Sequence, residues 1–169
     1  MTTIDVLMLV FLFCLMMAVI WLCVMVIDRE IPTNTKVSFM EGLDLTGLPV
    51  VTFYNNGRKF NFVLDTGSYN SVINESVLEY FDYNKSKDYA DLIGIDGINR
   101  KEQQIIHASL FYKDKEIRAT FIATELDDAF DAIKRETGVQ LHGLLGSTFF
   151  KENKYIINYD ELVAYSKKI

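Results

Sequence analysis

After residue 27 the sequence contains no cysteine; the two it has, Cys14 and Cys23, both fall in an apolar stretch before that point. A disulfide framework and a cysteine-built metal centre are thereby excluded from everything that follows. Inside the apolar stretch the two thiols read as packing groups. Histidine is as scarce. His107 and His142 stand far apart with no carboxylates at ligand spacing, so the sequence offers no zinc site, and neither a metal nor a cofactor is expected. His107, inside an apolar run, reads as structural. There is no G-x-S-x-G nucleophile turn, no glycine-rich phosphate loop and no internal repeat. Positive charge is thin as well. All 17 basic residues lie beyond residue 27, but so do all except one of the 23 acids, which leaves that portion about five charges negative. Lys167 and Lys168 are too few to make a basic surface, and no nucleic-acid partner is expected.

Residues 6–27, VLMLVFLFCLMMAVIWLCVMVI, are also defined by what is missing: they hold no charge, no glycine and no proline. At about 1.5 Å per residue a helix of that length reaches roughly 33 Å, enough to cross a hydrocarbon core of about 30 Å. A transmembrane anchor over residues 1–27 is therefore expected, making the chain a single-pass membrane protein. A cleaved signal peptide fits less well. MTTID has no basic residue, the apolar run is long, and Asp28-Arg29-Glu30-Ile31-Pro32 offers no small-residue pair for cleavage. The few mixed charges flanking the run leave both orientations open. Residues 28–36, with Pro32, Thr33, Asn34 and Thr35, suit a polar tether, and residues 37–169 amount to one domain.

Within that domain, runs around residues 50–54 and 59–64 flank Asn55-Asn56-Gly57-Arg58, a turn tolerant of positive φ, and so predict a hairpin. A short strand is expected over 71–73, and Asn74 is placed to cap a brief helix over 75–81. Further strands are expected at 89–93, 104–112 and 117–123. Leu126, Phe130 and Ile133 repeat at helical spacing with Gly138 as a stop. A short helix near 147–152 and a final hairpin, 155–158 with 162–165, complete a small, mainly β domain, a barrel or a sandwich.

One motif carries chemistry. Phe62-Val63-Leu64 deliver Asp65-Thr66-Gly67-Ser68, with Ser71-Val72-Ile73 behind; Leu144-Leu145-Gly146 follow at a distance, then Phe149-Phe150 and Tyr155-Ile156-Ile157-Asn158-Tyr159. Taken alone, Asp65 is a turn residue. Taken together, these stretches resemble the retropepsin-like aspartic proteases, whose active-site loop reads apolar, apolar, D-[ST]-G-[AS]-x-x-[ST] and whose apolar, apolar, Gly motif packs behind it. Ile93-Gly94-Ile95-Asp96-Gly97-Ile98 looks like that family's flap, although an ordinary hairpin turn would read the same. The matches run in the family's order from about residue 50 to residue 165.

The resemblance implies a retropepsin-like acid-protease β-barrel with short helices, and hydrolysis of peptide bonds by a water activated between two carboxylates. Close like charges cannot both ionise, so a pair of aspartates shares one proton: one polarises the carbonyl and the other deprotonates water. This chain has one D-[ST]-G, so the resemblance implies a homodimer with Asp65 from each copy. It further implies that Gly67 allows the turn, Thr66 bonds across the two-fold axis, Ser68 donates to an aspartate oxygen, and Leu144, Leu145 and Gly146 support the loop. Gly94, Ile95, Asp96 and Gly97 would cover a peptide or protein substrate. The sequence departs from that family's single-domain viral members in its anchor, in the helical stretch near 127–137 and in the acid Asp96 at the flap tip. Two functions follow from these residues: a membrane-anchored aspartic endopeptidase, or a catalytically silent protease-fold binding or assembly module tethered to the membrane.

Overall fold

The computed structural model of the chain describes residues 12–21, 36–93 and 99–167. The chain divides into two compact units, Met1–Thr33 and Asn34–Ile169. In the first, residues 12–21 form a helix, α1, with all of its side chains exposed. Among the described residues no helix is long and apolar enough to cross a membrane. The span expected over residues 6–27 lies largely outside the described residues, as does the tether over 28–36 except for Lys36.

The second unit is mainly β. Its first long hairpin forms where expected: β2 (Val50–Asn55) pairs antiparallel with β3 (Arg58–Leu64) around Asn56 and Gly57, whose φ values of 48° and 72° are the left-handed pair a two-residue hairpin turn requires. Alternation in β3 turns Phe60, Phe62 and Leu64 inward. β4 (Ser71–Asn74) is buried at every residue because it is flanked on both sides, by β8 (Gly143–Leu145) antiparallel and β7 (Lys115–Thr124) parallel. β7 joins β6 (Asn99–Tyr112), and β6 returns to β2 through Tyr54 and Phe111. The order β2-β3-β8-β4-β7-β6 thus closes into a six-stranded barrel, with β5 (Asn84–Ile93) paired to the outer side of β6. A separate three-stranded sheet has the order β1 (Val37–Ser38), β10 (Val163–Ser166), β9 (Tyr155–Asn158).

Aromatic side chains fill the barrel. Phe53, Phe62, Phe121 and Phe149 are fully buried with Ile106 and Leu110, and Phe62 stacks on Phe121 at 5.5 Å between centroids. Burial of each such side chain favours folding by about 1.5–3 kcal/mol. A smaller cluster lies under helix α3 (Asp127–Thr137), where Phe130 packs with Val50 and Leu141 against Val63 and Ile133. α3 stops at Gly138, as its spacing predicts, with φ 77°.

Three local expectations need correction. The helix expected over 75–81 shrinks to a single 3-10 turn, Glu75–Val77, because Asn74 does not cap it: its Oδ1 accepts from the Leu126 N–H and its Nδ2 donates to Asp127. A helix that the sequence did not announce, α2 (Met40–Thr46), precedes β2. It carries Gly42 mid-helix because a Cβ there would stand 2.6 Å from the Cβ of Val50. Finally, β5 and β6 extend well beyond the expected runs at 89–93 and 104–112.

Candidate active site

The site follows from one topological fact. β3 ends at Leu64 and β4 begins at Ser71, yet the two are not neighbours, since β8 lies between them, parallel to β3 and antiparallel to β4. Residues 65–70 must therefore pass over the end of β8, and they do so at Gly146. A Cβ on Gly146 would sit 2.4 Å from the carbonyl oxygen of Asn70 and 3.0 Å from that of Ser68. No side chain fits beneath this strap. Gly143, three residues earlier, is crowded by the neighbouring strand β4 instead, where a Cβ would meet the Val72 carbonyl oxygen at 2.4 Å.

The strap is held from both ends and from below. The Asp65 N–H donates to the Leu145 carbonyl at 2.9 Å, and the Gly146 N–H donates to the buried hydroxyl of Ser71 at 3.0 Å. Helix α4 (Ser147–Asn153) starts under the strap, and its first N–H groups, which have no partner within a helix, donate to it: Ser147 to the Ser68 carbonyl at 2.8 Å and Thr148 to the Tyr69 carbonyl at 3.0 Å. The Ser147 hydroxyl adds a bond to the Thr66 carbonyl at 3.0 Å. Each carbonyl that the strap turns toward α4 is thus satisfied.

Asp65 stands half-buried at the mouth of β3, and its Oδ1 accepts the Gly67 N–H at 2.9 Å. Gly67 does not have the positive φ expected of a turn glycine. Its role is proximity: a Cβ there would come within 3.2 Å of Asp65 Oδ1. Ser68 also differs from expectation, since its hydroxyl donates to the Asn70 carbonyl at 2.7 Å and not to the aspartate. That bond fixes the strap's far end. The Thr66 hydroxyl is exposed and has no partner among the described residues. Leu144 and Leu145 pair with Val63 and Leu64, directly beneath Asp65. Across the strap, β8 and the start of α4, Asp65 is the sole acid.

The expected flap residues, Gly94, Ile95, Asp96 and Gly97, lie outside the described residues. The strands on either side do pair up to them, with Leu92 opposite Arg100 and Ile93 opposite Asn99. Sequence reasoning passed over Ser147 and Thr148, whose only signal was a pair of hydroxyl residues directly behind Leu-Leu-Gly. It also passed over Tyr69, which is 76% exposed on the strap.

No family model and no curated protein matches the sequence. The geometry accordingly stands on its own terms: one carboxylate, oriented by a backbone amide, on a strap whose carbonyls are tied to α4. Among the described residues no group of three His, Cys, Asp or Glu side chains is arranged to hold a metal ion. Beside this site, Asn74 links β4 to α3. Its side chain and the Ser76 hydroxyl both donate to Asp127 Oδ1, at 2.7 and 2.9 Å, and these bonds hold the Asp127 carboxyl below its ordinary pKa.

Proposed function

We propose that the chain is a membrane-anchored aspartic endopeptidase of retropepsin-like type, in which two copies each contribute Asp65 to one site. The observation that carries this reading is the strap itself. It presents a single carboxylate at the end of a barrel strand, fixes one of its oxygens with the Gly67 N–H, and leaves its other oxygen without a partner among the described residues. Two such loops facing each other across a two-fold axis bring like charges together, and one proton shared between them is the stable state. The protonated acid then polarises the scissile carbonyl while the ionised one takes a proton from the attacking water. The exposed Thr66 hydroxyl is free to bond across the axis. Residues 6–27 supply the membrane anchor.

The test is cleavage of a mixed peptide library by the full chain and by Asp65→Asn. The substitution removes an ionisable group without changing its volume, so cleavage should vanish while the fold persists. The wild-type rate should be bell-shaped in pH, because the shared-proton state exists only between the two apparent pKa values of the pair. An Asp65→Asn chain that retains full activity, or a rate that climbs steadily to high pH, rules out this assignment. A wild-type chain that binds library peptides and cuts none leaves the silent binding module as the function.

A further inference from the structure

Behind β8, the segment leading into the site is stitched to β3 by one residue. His142 donates its N–H to the Asn61 carbonyl at 2.9 Å, its ring Nδ1 accepts the Asn61 N–H at 2.9 Å, and the Asn61 side chain donates to the Gln140 carbonyl at 2.9 Å. The His142 carbonyl accepts the Asn74 N–H of β4 at 2.9 Å. His142 therefore joins β3 and β4 immediately before Gly143-Leu144-Leu145, the strand that carries the strap. Its ring is packed edge-on to Phe60 at 5.3 Å.

An imidazole nitrogen that accepts an N–H carries no proton of its own, so the neutral ring has its hydrogen on Nε2. A second proton can go only to Nδ1, where it would face the Asn61 N–H, donor against donor. We infer that His142 is a proton-sensitive positioning residue: the neutral ring clamps β3 to the approach of β8, and protonation at Nδ1 releases that clamp and loosens the support beneath Asp65. The groups around the ring set how easily this happens. Arg58 and Lys59 on β3 line the same cavity, of about 350 Å³, with Asp127 and Asp131 of α3 and Tyr80 after the 3-10 turn; β4 brings no charge.

Burial pushes the His142 pKa below its ordinary value, and the charge of Lys134 adds to this. Here the Asn61 N–H points at Nδ1, and such a bond favours the neutral ring. With the folded pKa below the unfolded one, the unfolded chain binds more protons, so the stabilisation is complete above about pH 6.5 and is lost as pH falls through the folded value. The structural part of this inference is independent of catalysis; its effect on rate rests on the proposed peptidase reading.

The experiment is a pH titration of the full chain in detergent, followed by 15N NMR, with His142→Asn as the companion variant. Asn offers an oxygen near the position of Nδ1 and does not titrate. The expected signature is a neutral His142 protonated on Nε2, a midpoint below 6.5, and an Asn61 amide signal that moves with the same midpoint. Below that midpoint the melting temperature of the wild type should fall by roughly 2–4 °C relative to His142→Asn. A neutral ring protonated on Nδ1, an Asn61 amide indifferent to the titration, or the same acid slope in both proteins overturns the clamp. In peptide cleavage, the acid limb of kcat should move to lower pH in His142→Asn with KM unchanged, and an unmoved limb overturns the link to the site. If no cleavage occurs at any pH the peptidase reading falls, and the NMR and melting results still decide the clamp.

Discussion

At Gly146 a single methyl group is enough to disturb the site. Its Cβ would press on the backbone of Asn70, which is itself tied through Ser68, so neither side can yield cheaply. Gly146→Ala should destabilise the domain by about 1–3 kcal/mol, read as a lower urea midpoint, and should reduce any Asp65-dependent cleavage more than it reduces stability. Tyr155 presents the opposite case. Its hydroxyl is buried without a hydrogen-bond partner among the described residues, and burial drives its pKa well above the ordinary value of 10.0. A folded pKa raised in this way contributes stability below about pH 10 that disappears as pH rises further. Tyr155→Phe should therefore leave the protein as stable or about 1 kcal/mol more stable at neutral pH and should flatten the alkaline loss, measured by thermal melts between pH 8 and about 11.

Among the elements, α3 rests on one anchor. Phe130 is its single buried residue, and Phe130→Ala should cost about 3 kcal/mol in chemical denaturation, with amide exchange rising along α3 before it rises in the barrel. This helix was legible in the sequence because Leu126, Phe130 and Ile133 fall on one face and Gly138 supplies the left-handed stop. The β2–β3 hairpin was legible for an equally local reason, the Asn56-Gly57 pair. What could not be read were elements governed by distant neighbours. Helix α2 hides behind a glycine whose need is set by Val50, and the helix over 75–81 failed because the Asn74 side chain serves α3 instead. The site divides in the same way. Asp65, Gly67 and the Leu-Leu-Gly run stand out as a local pattern, whereas the bond of Ser68 to Asn70 and the donors of Ser147 and Thr148 depend on where the chain returns after a long excursion.

For the molecule as a whole, a single D-[ST]-G per chain makes association the condition of the peptidase activity proposed above. Specific activity should rise with protein concentration until dimers saturate. Mixing equal amounts of wild type and Asp65→Asn should leave about a quarter of the dimers active if copies assort at random. Activity that is independent of dilution, in a chain that sediments as a monomer, would refute the shared site. Tethering two copies to one bilayer would raise their effective concentration, so a weak interface suffices there. The strap carries a further consequence, which concerns time. Thr66 and the hydroxyl of Ser147 that holds it are 81 positions apart, and a ribosome delivers the first long before the second. Until β8 and α4 have emerged, Asp65 lies on an unsupported turn with no shape to offer a second copy. On the peptidase reading proposed above, a nascent chain has no means of cutting its neighbours or itself at that stage, and any message cut short before Gly143 yields a product with Asp65 but without the strand and helix that hold its strap.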